Sequence, residues 1–226
     1  MGAGTGAKRA LIFAGGTWHA AGPCAALLAG PWRWVVCADS GARHALALGF
    51  RPNLLVGDFD SIDPAHKERL AGVPTLRFPS DKDKTDTHLA VEWALEQGAE
   101  EVTIAAGLGG RLDHSLANVQ LLTLIHGVVG GHRRGRAAKG VVTDGRQAAY
   151  LLVDRLELRA PAGTVLSLLP LTKRLVGLSE RGVRWELTDA DVELGETLTV
   201  SNEFTGEPAF LTLRRGMALV IVGSAD

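Results

Sequence analysis

Aromatic residues are scarce: they make up 5% of the 226 residues, and there is a single Tyr. Cysteine is scarcer than Trp or Phe, with Cys24 and Cys37 the two thiols of the chain. They stand in neither a C-x-x-C nor a zinc-type spacing, which argues against a disulfide framework and makes a reducing compartment the default. An excess of one charge is missing too. The 24 Lys and Arg offset 25 Asp and Glu to a net charge of −1, so no global field exists for gripping nucleic acid or an acidic membrane. An anionic ligand must therefore be held by local groups. Long apolar runs are also absent, since none approaches the ~18–20 residues that span a bilayer. Near the start, Lys8 and Arg9 precede only the short apolar run 10–14 before Gly15-Gly16. That run is too short for a signal-peptide core, and the expected location is the cytoplasm.

What remains is an ordinary globular composition, 46% hydrophobic and 22% charged. The length fits one large domain or two small ones, with roughly 70% of the extended chain's surface buried on folding. The first half alternates short apolar runs with helical patterns. Runs 11–14, 34–38, 54–56 and 102–106 read as buried strands, each followed by Gly or Asp. Ser40 opens a helix that Gly49 closes, and Asp63-Pro64 supplies the start of a segment ending near Gly72. Gly98 closes a third helix that follows Asp86, and Leu112, Leu116, Val119 and Leu122 mark the apolar face of a fourth. Such repeated units predict an α/β domain over 1–137, mostly parallel and Rossmann-like, with its ligand crevice outside the carboxyl ends of the strands. The stretch 130–136, with Arg133-Arg134-Gly135-Arg136, reads as a solvated loop or linker. Beyond it, short apolar runs at 147–153, 156–159, 165–169, 183–187, 197–200, 209–213 and 218–222 predict an all-β sandwich or jelly-roll-like domain over 138–226.

Three clusters carry chemistry. In Gly57-Asp58-Phe59-Asp60-Ser61, the two carboxylates are two residues apart and project to one side of an extended segment. Two anions at a strand's carboxyl end suit a hard cation such as Mg²⁺, although Gly and Asp are also turn formers. Asp81-Lys82-Asp83-Lys84-Thr85-Asp86 stands just before a helix, where Thr85 and Asp86 suit a cap or, with their neighbours, a metal–polyphosphate site. Gly107-Leu108-Gly109-Gly110-Arg111-Leu112-Asp113-His114 forms a strand-to-helix turn. Its glycines let backbone approach phosphate oxygens, and Arg111 offers a planar fork. The spacing matches neither G-x-G-x-x-G nor the P-loop, which disfavours both of those readings.

Taken together with Ala38-Asp39-Ser40-Gly41-Ala42 and Lys82-Asp83-x-Thr85-Asp86, these motifs resemble those of the thiamine pyrophosphokinase (thiamine diphosphokinase) family, in order and at similar spacing. Gly182-Val183-Arg184-Trp185-Glu186-Leu187 and Ser201-Asn202-Glu203-Phe204 are similar to the family's thiamine-contacting stretch. The family usually carries Gly where Ser40 stands. The resemblance implies transfer of a pyrophosphoryl group from ATP to the thiamine hydroxyl, giving thiamine diphosphate and AMP. It implies that Asp58, Asp60, Asp83 and Asp86 hold Mg²⁺ or orient the hydroxyl, and that Arg111 and Asp113 act at the phosphates. It places Asp39, Gly41, Gly109, Gly110 and His114 with Arg111 around ATP, and Trp185, Ser201 and Asn202 around thiamine. It also implies a homodimer whose subunits share the thiamine sites. Three alternatives stand beside it: a pyrophosphokinase for another alcohol such as a hydroxymethyl pterin, a non-catalytic thiamine or thiamine diphosphate sensor, and a metal-dependent phosphohydrolase.

Overall fold

The structure, a computed structural model, describes residues 7–57, 64–78, 83–129, 132–133 and 137–223. They form two compact units that divide between Gly145 and Arg146. In the first unit the strands are β1 (Arg9–Phe13), β2 (Trp34–Ala38), β3 (Leu54–Val56), β4 (Thr75–Leu76) and β5 (Glu101–Ala105). Next come β6 (Val128–Val129) and β7 (His132–Arg133), an antiparallel hairpin, and then β8 (Lys139–Thr143). Every pairing along the order β8-β5-β1-β2-β3-β4 is parallel. From Ala10 to Phe13 the chain of β1 is 0% exposed, as a parallel strand covered on both faces requires. β8 pairs with β5 from Lys139 to Thr143. The expected boundary at 137/138 would therefore cut a strand away from its partner. The hairpin also places two residues of the supposed linker, 132 and 133, in regular structure.

Among the described residues, four α-helices accompany this sheet: α1 (Ala42–Ala47), α2 (Pro64–Arg69), α3 (Asp86–Glu96) and α4 (Leu112–Ile125). Thr85 caps α3, its hydroxyl accepting the His88 N–H at 3.2 Å, and Asp86 adds negative charge in the first turn. Gly98, at φ +85°, stands just past its end, where a left-handed residue closes a helix. The buried side of α4 is Asn118, Leu121, Leu122 and Ile125. This corrects the expected face, because Leu112 and Leu116 are 71% and 55% exposed. Leu112 is the first residue of the helix, beside the glycine turn and ahead of the part that packs.

The second unit holds β9 (Gln147–Leu152), β10 (Arg155–Leu158), β11 (Val165–Pro170), β12 (Arg174–Arg181), β13 (Leu187–Glu193), β14 (Asn202–Glu203), β15 (Ala209–Thr212) and β16 (Ala218–Gly223). They form two antiparallel layers, β14-β11-β16-β9 and β10-β15-β12-β13. Both layers contribute to one core, with Leu152, Leu166, Leu168, Val220 and Val222 from the first and Leu175, Leu178, Val192 and Leu211 from the second. Alternation drives this: along β11 every second residue is buried. Two expected strands are absent. Of 183–187 only the ends are paired, Val183 in a single bridge to Phe204 and Leu187 as the start of β13, while 184–186 bend away after Gly182, which turns at φ +73°; 197–200 form turns before the short β14. Conversely, β12 was not legible as a strand, because Gly177 and register shifts interrupt its pattern.

One acid lies in this core. Glu180 is 0% exposed on an inward position of β12, and its carboxylate accepts the Asn202 Nδ2–H at 3.0 Å. Burial pushes this carboxyl up to about 7, with the Asn202 hydrogen bond pulling it back down. A carboxyl raised on folding favours the native state fully below its unfolded pKa of 4.5, and that contribution is lost as pH rises through about 7. At most about 3 kcal/mol is involved, from 1.36 kcal/mol per pKa unit. Glu180→Gln is expected to remove this slope: chemical denaturation at pH 5 and pH 8 should give a smaller difference for the variant than for the wild type.

Candidate functional site

The carboxyl ends of β1, β2 and β5 meet, and their turns are built by close backbone approach. After β1, the Gly16 N–H donates to the Ala106 carbonyl and the Thr17 N–H to the Leu108 carbonyl, each at 2.8 Å. The turn after β1 is thereby zipped to the turn after β5. A Cβ at Gly16 would run into those same two carbonyl oxygens. After β2, the chain makes a tight turn at Asp39–Gly41 that passes over the end of β1, where a Cβ at Gly41 would strike the Phe13 carbonyl. Two non-glycine residues at these strand ends, Asp39 and Ala106, adopt φ of 45° and 52°. Such left-handed backbone costs roughly 1–3 kcal/mol per residue and persists where surrounding structure over-determines it.

Side chains then hold the turns in place. Asn118, buried on α4, donates from Nδ2 to the Gly107 carbonyl at 2.8 Å. Ser115 donates to the Gly109 carbonyl at 3.3 Å and to Arg111 O at 3.1 Å. On the other side, Arg43 donates to the Gly15 carbonyl at 2.8 Å and His44 Nε2 meets the Gly16 carbonyl at 2.9 Å. Burial lowers the pKa of His44, which favours a neutral ring donating through Nε2. Gly110, at φ +72°, has nothing within 4 Å of the point where a Cβ would stand and opens onto the space the turns enclose.

That space is a cavity of about 470 Å³, within the range of small-molecule sites. Asp39, Asp83 and Asp86 line it with Gly109, Gly110, Arg111 and His114, so seven expected site residues converge. Gly41 stands in the β2 turn, packed against β1 and not on the cavity wall. Asp113 lies beside the cavity and grips Arg111 with both oxygens, at 2.6 and 3.1 Å. That fork, with the His114 N–H, holds the Asp113 carboxyl below the usual carboxylate range. Lys84, also on the wall, is held by Glu92 at 2.8 Å. Both ion pairs are solvent-exposed, so they exchange partners cheaply. Asp58 and Asp60 lie outside the described residues. Among the described residues, no three His, Cys, Asp or Glu side chains are grouped to hold a metal ion. The acidic donors on the wall are nevertheless carboxylate oxygens, the ligand type of a hard divalent cation.

Sequence reasoning missed Gly15-Gly16 and the Arg43–His44 pair that steadies them. A Gly-Gly directly after the first buried strand was the available signal; nothing in the sequence pointed to Arg43 or His44.

In the second unit, Trp185 is 53% exposed on a turn, where a ring contributing to a core would be buried. Its N–H donates to Asn202 Oδ1 at 3.1 Å, and its carbonyl accepts from Asn202 Nδ2 at 2.9 Å. The Asn202 amide thus takes both backbone groups of Trp185, next to the Arg184 N–H that donates to the Glu203 carbonyl at 2.8 Å. The Arg184 guanidinium covers one ring face at 4.6 Å and pairs with Glu203 at 2.9 Å. Ser201 is adjacent at φ 63°, its N–H donating to Ser167 Oγ at 3.0 Å.

Fold and cavity together define a class: an α/β unit whose strand-end glycine turns suit phosphates, carried with a β unit that presents an exposed aromatic. Residues 27–127 match the thiamin pyrophosphokinase catalytic domain, and residues 155–218 match the thiamin pyrophosphokinase vitamin B1 binding domain. The chain is 28% identical over 199 residues to thiamine pyrophosphokinase of Bacillus subtilis (strain 168), covering 83% of this chain and 86% of that protein. It is similar in structure to a Bacillus subtilis thiamine pyrophosphokinase, with a TM-score of 0.83, 26% identity and coverage of 97% and 100%. It also resembles a thiamin pyrophosphokinase family protein from Enterococcus faecalis, with a TM-score of 0.75, 28% identity and the same coverage. The chain belongs to the thiamine pyrophosphokinase family.

The role of Asn118 is testable by substitution. Asn118→Leu strands the buried Gly107 carbonyl, which should cost about 1–3 kcal/mol of stability. It should also loosen the turn, weakening ATP binding by about tenfold in calorimetric titration if the turn contributes about 1.4 kcal/mol to that binding. Unchanged affinity in a folded variant would show that α4 does not set the turn.

Proposed function

We propose that the protein carries out the reaction its family is named for: pyrophosphoryl transfer from ATP to the hydroxyl of thiamine, giving thiamine diphosphate and AMP. The observation that carries this is the cavity, where glycine turns, Arg111 and the carboxylates of Asp39, Asp83 and Asp86 face one space. ATP enters with its phosphates against Gly109 and Gly110, where backbone can approach without a side chain between. Arg111 leaves Asp113 for the phosphates, and Asp113 keeps the guanidinium aimed until then. The thiamine hydroxyl attacks the β-phosphorus, the bond to the AMP oxygen breaks, and a cavity carboxylate takes the hydroxyl proton. Such chemistry depends on in-line positioning and charge neutralisation more than on covalent catalysis.

Asp83 and Asp86, with Asp58 and Asp60, would hold Mg²⁺, which when bound neutralises phosphate charge. Asp39, Gly41 and His114 belong to the nucleotide side of the same reading. Trp185, Ser201 and Asn202 take thiamine, a fixed cation with flat rings that suits an aromatic face. Domains 1–137 and 138–226 divide these two tasks, apart from the placement of β8. The finer fold reading is part of the proposal: a Rossmann-like first unit, supported by helices alternating with parallel strands, and a jelly-roll-like second. So are the homodimer with shared thiamine sites and the cytoplasmic location, the latter supported by the absence of any helix long and apolar enough to cross a membrane among the described residues.

The deciding experiment incubates the purified protein with ATP, Mg²⁺ and thiamine and follows AMP. AMP formed only with thiamine supports the reading; AMP or phosphate released without it would indicate a hydrolase. Asp86→Asn should fold normally and lose at least about a hundredfold in turnover, a few kcal/mol of lost charge stabilisation. Arg111→Ala should raise the KM for ATP more than that for thiamine. An effect confined to thiamine would place Arg111 in the other pocket.

A further inference from the structure

We infer that Glu180 is a positioning residue for thiamine: from inside the β-sandwich it fixes the Asn202 amide that sets the backbone of Trp185. The inference rests on the reading of Trp185 and Asn202 as thiamine contacts. Neighbouring inward positions on β12, Leu175 and Leu178, are apolar and 0% exposed. At Glu180 the same kind of position holds a carboxyl of equal burial, with one oxygen, Oε1, lacking a hydrogen-bond partner among the described residues. Burying a polar oxygen without a partner is unfavourable, and an apolar side chain would pack there without that penalty. The carboxyl must therefore do something a leucine cannot.

Its one hydrogen bond shows what. Asn202 Nδ2 donates to Glu180 Oε2 at 3.0 Å and to the Trp185 carbonyl at 2.9 Å. Asn202 Oδ1 accepts from the Trp185 N–H at 3.1 Å and from the Glu203 N–H at 2.9 Å. All four hydrogen-bonding capacities of the amide are used, two of them on Trp185. A flipped amide would set its oxygen against the Trp185 carbonyl and, with Glu180 ionised, against the carboxylate, and its NH₂ against two N–H donors. An acceptor at position 180 penalises that flip. Because 184–186 stand outside the strands, between the Val183–Phe204 bridge and the start of β13, the Asn202 amide supplies both backbone bonds of Trp185. The burial that pushes the Glu180 carboxyl up to about 7 is partly offset by this same amide, so the two side chains depend on each other.

The test measures KM for both substrates in Glu180→Leu, Glu180→Thr and Glu180→Gln, with Trp185→Ala alongside and folding checked by circular dichroism. Leucine fills the core without an acceptor, while threonine, suited to a strand, is too short to reach Asn202 and gives a second route should the leucine variant not fold. Both should raise the KM for thiamine by about fivefold to thirtyfold, the change that one to two weakened hydrogen bonds convert to, and leave the KM for ATP within about twofold. Glu180→Gln keeps an acceptor and should stay near wild type for both. A merely structural role would lower stability and leave the thiamine KM in place. If Trp185→Ala raises the thiamine KM and the folded leucine or threonine variant does not, the role of Glu180 is overturned while the thiamine site stands. If Trp185→Ala leaves it unmoved, the placement of thiamine falls and this inference with it.

Discussion

Everything at the cavity depends on backbone meeting backbone without a side chain between. Gly16 lies against the carbonyls of Ala106 and Leu108, and Gly41 against that of Phe13, so the turns after β1, β2 and β5 pack where a Cβ at either glycine would clash. Parallel strands deliver their carboxyl ends to one edge of a sheet, and the turns that leave them must share that edge. The turns are consequently stiff. Asp39 and Ala106 hold left-handed backbone at these crossings, a conformation that persists where surrounding structure over-determines it. Stiffness suits a reaction whose demand on the protein is alignment, since a polyphosphate chain has many conformers and few that place a nucleophile in line.

Charge is arranged differently from shape. The wall carries carboxylates as well as cations, with Arg111 engaged by Asp113 and Lys84 by Glu92. A cavity this mixed attracts a bare polyanion less than an all-basic one would. It favours a ligand that brings its own counter-charge, since a cation shared between phosphates and carboxylates removes the repulsion that separate binding would leave. Exposed ion pairs contribute about 0–1 kcal/mol each. Releasing Arg111 from Asp113 toward a phosphate is thus inexpensive, and the same fork geometry serves both partners.

The parallel strands and the glycine turn were legible in the sequence because their signals are local: an apolar run ending in Gly or Asp fixes both strand and strand end. The cavity residues Asp83, Asp86, Gly109, Gly110, Arg111 and His114 were legible for a similar reason, each standing in a short motif beside a strand end or a helix start. What was not legible depends on long-range pairing. β8 falls in the first unit because β5 offers it an edge, which no local pattern announces. The segment around Trp185 reads as a strand, yet beyond Gly182 it is paired only at its ends, and at Trp185 the amide of Asn202, from a distant part of the chain, takes both backbone bonds. Arg43 and His44 were invisible on the same grounds. Their site role is to hold carbonyls of another loop, and no spacing rule records a side chain that serves a distant backbone.

The two proposed substrates set opposed electrostatic demands, and the fold separates the elements that meet them. A polyphosphate with its metal needs hard oxygen donors and close backbone N–H groups, which belong at helix starts and glycine turns. A flat organic cation needs an aromatic face in a setting whose shape is held by buried polar bonds, which belong on a sheet. On Trp185 one face is already covered by Arg184, itself tied to Glu203, so a planar cation has one face left to use. A second positive charge near the same ring would oppose it were Arg184 not paired. The Arg184–Glu203 bridge thus holds a guanidinium against the indole with a carboxylate beside it to offset its charge, so the ring is braced without an unpaired cation on it.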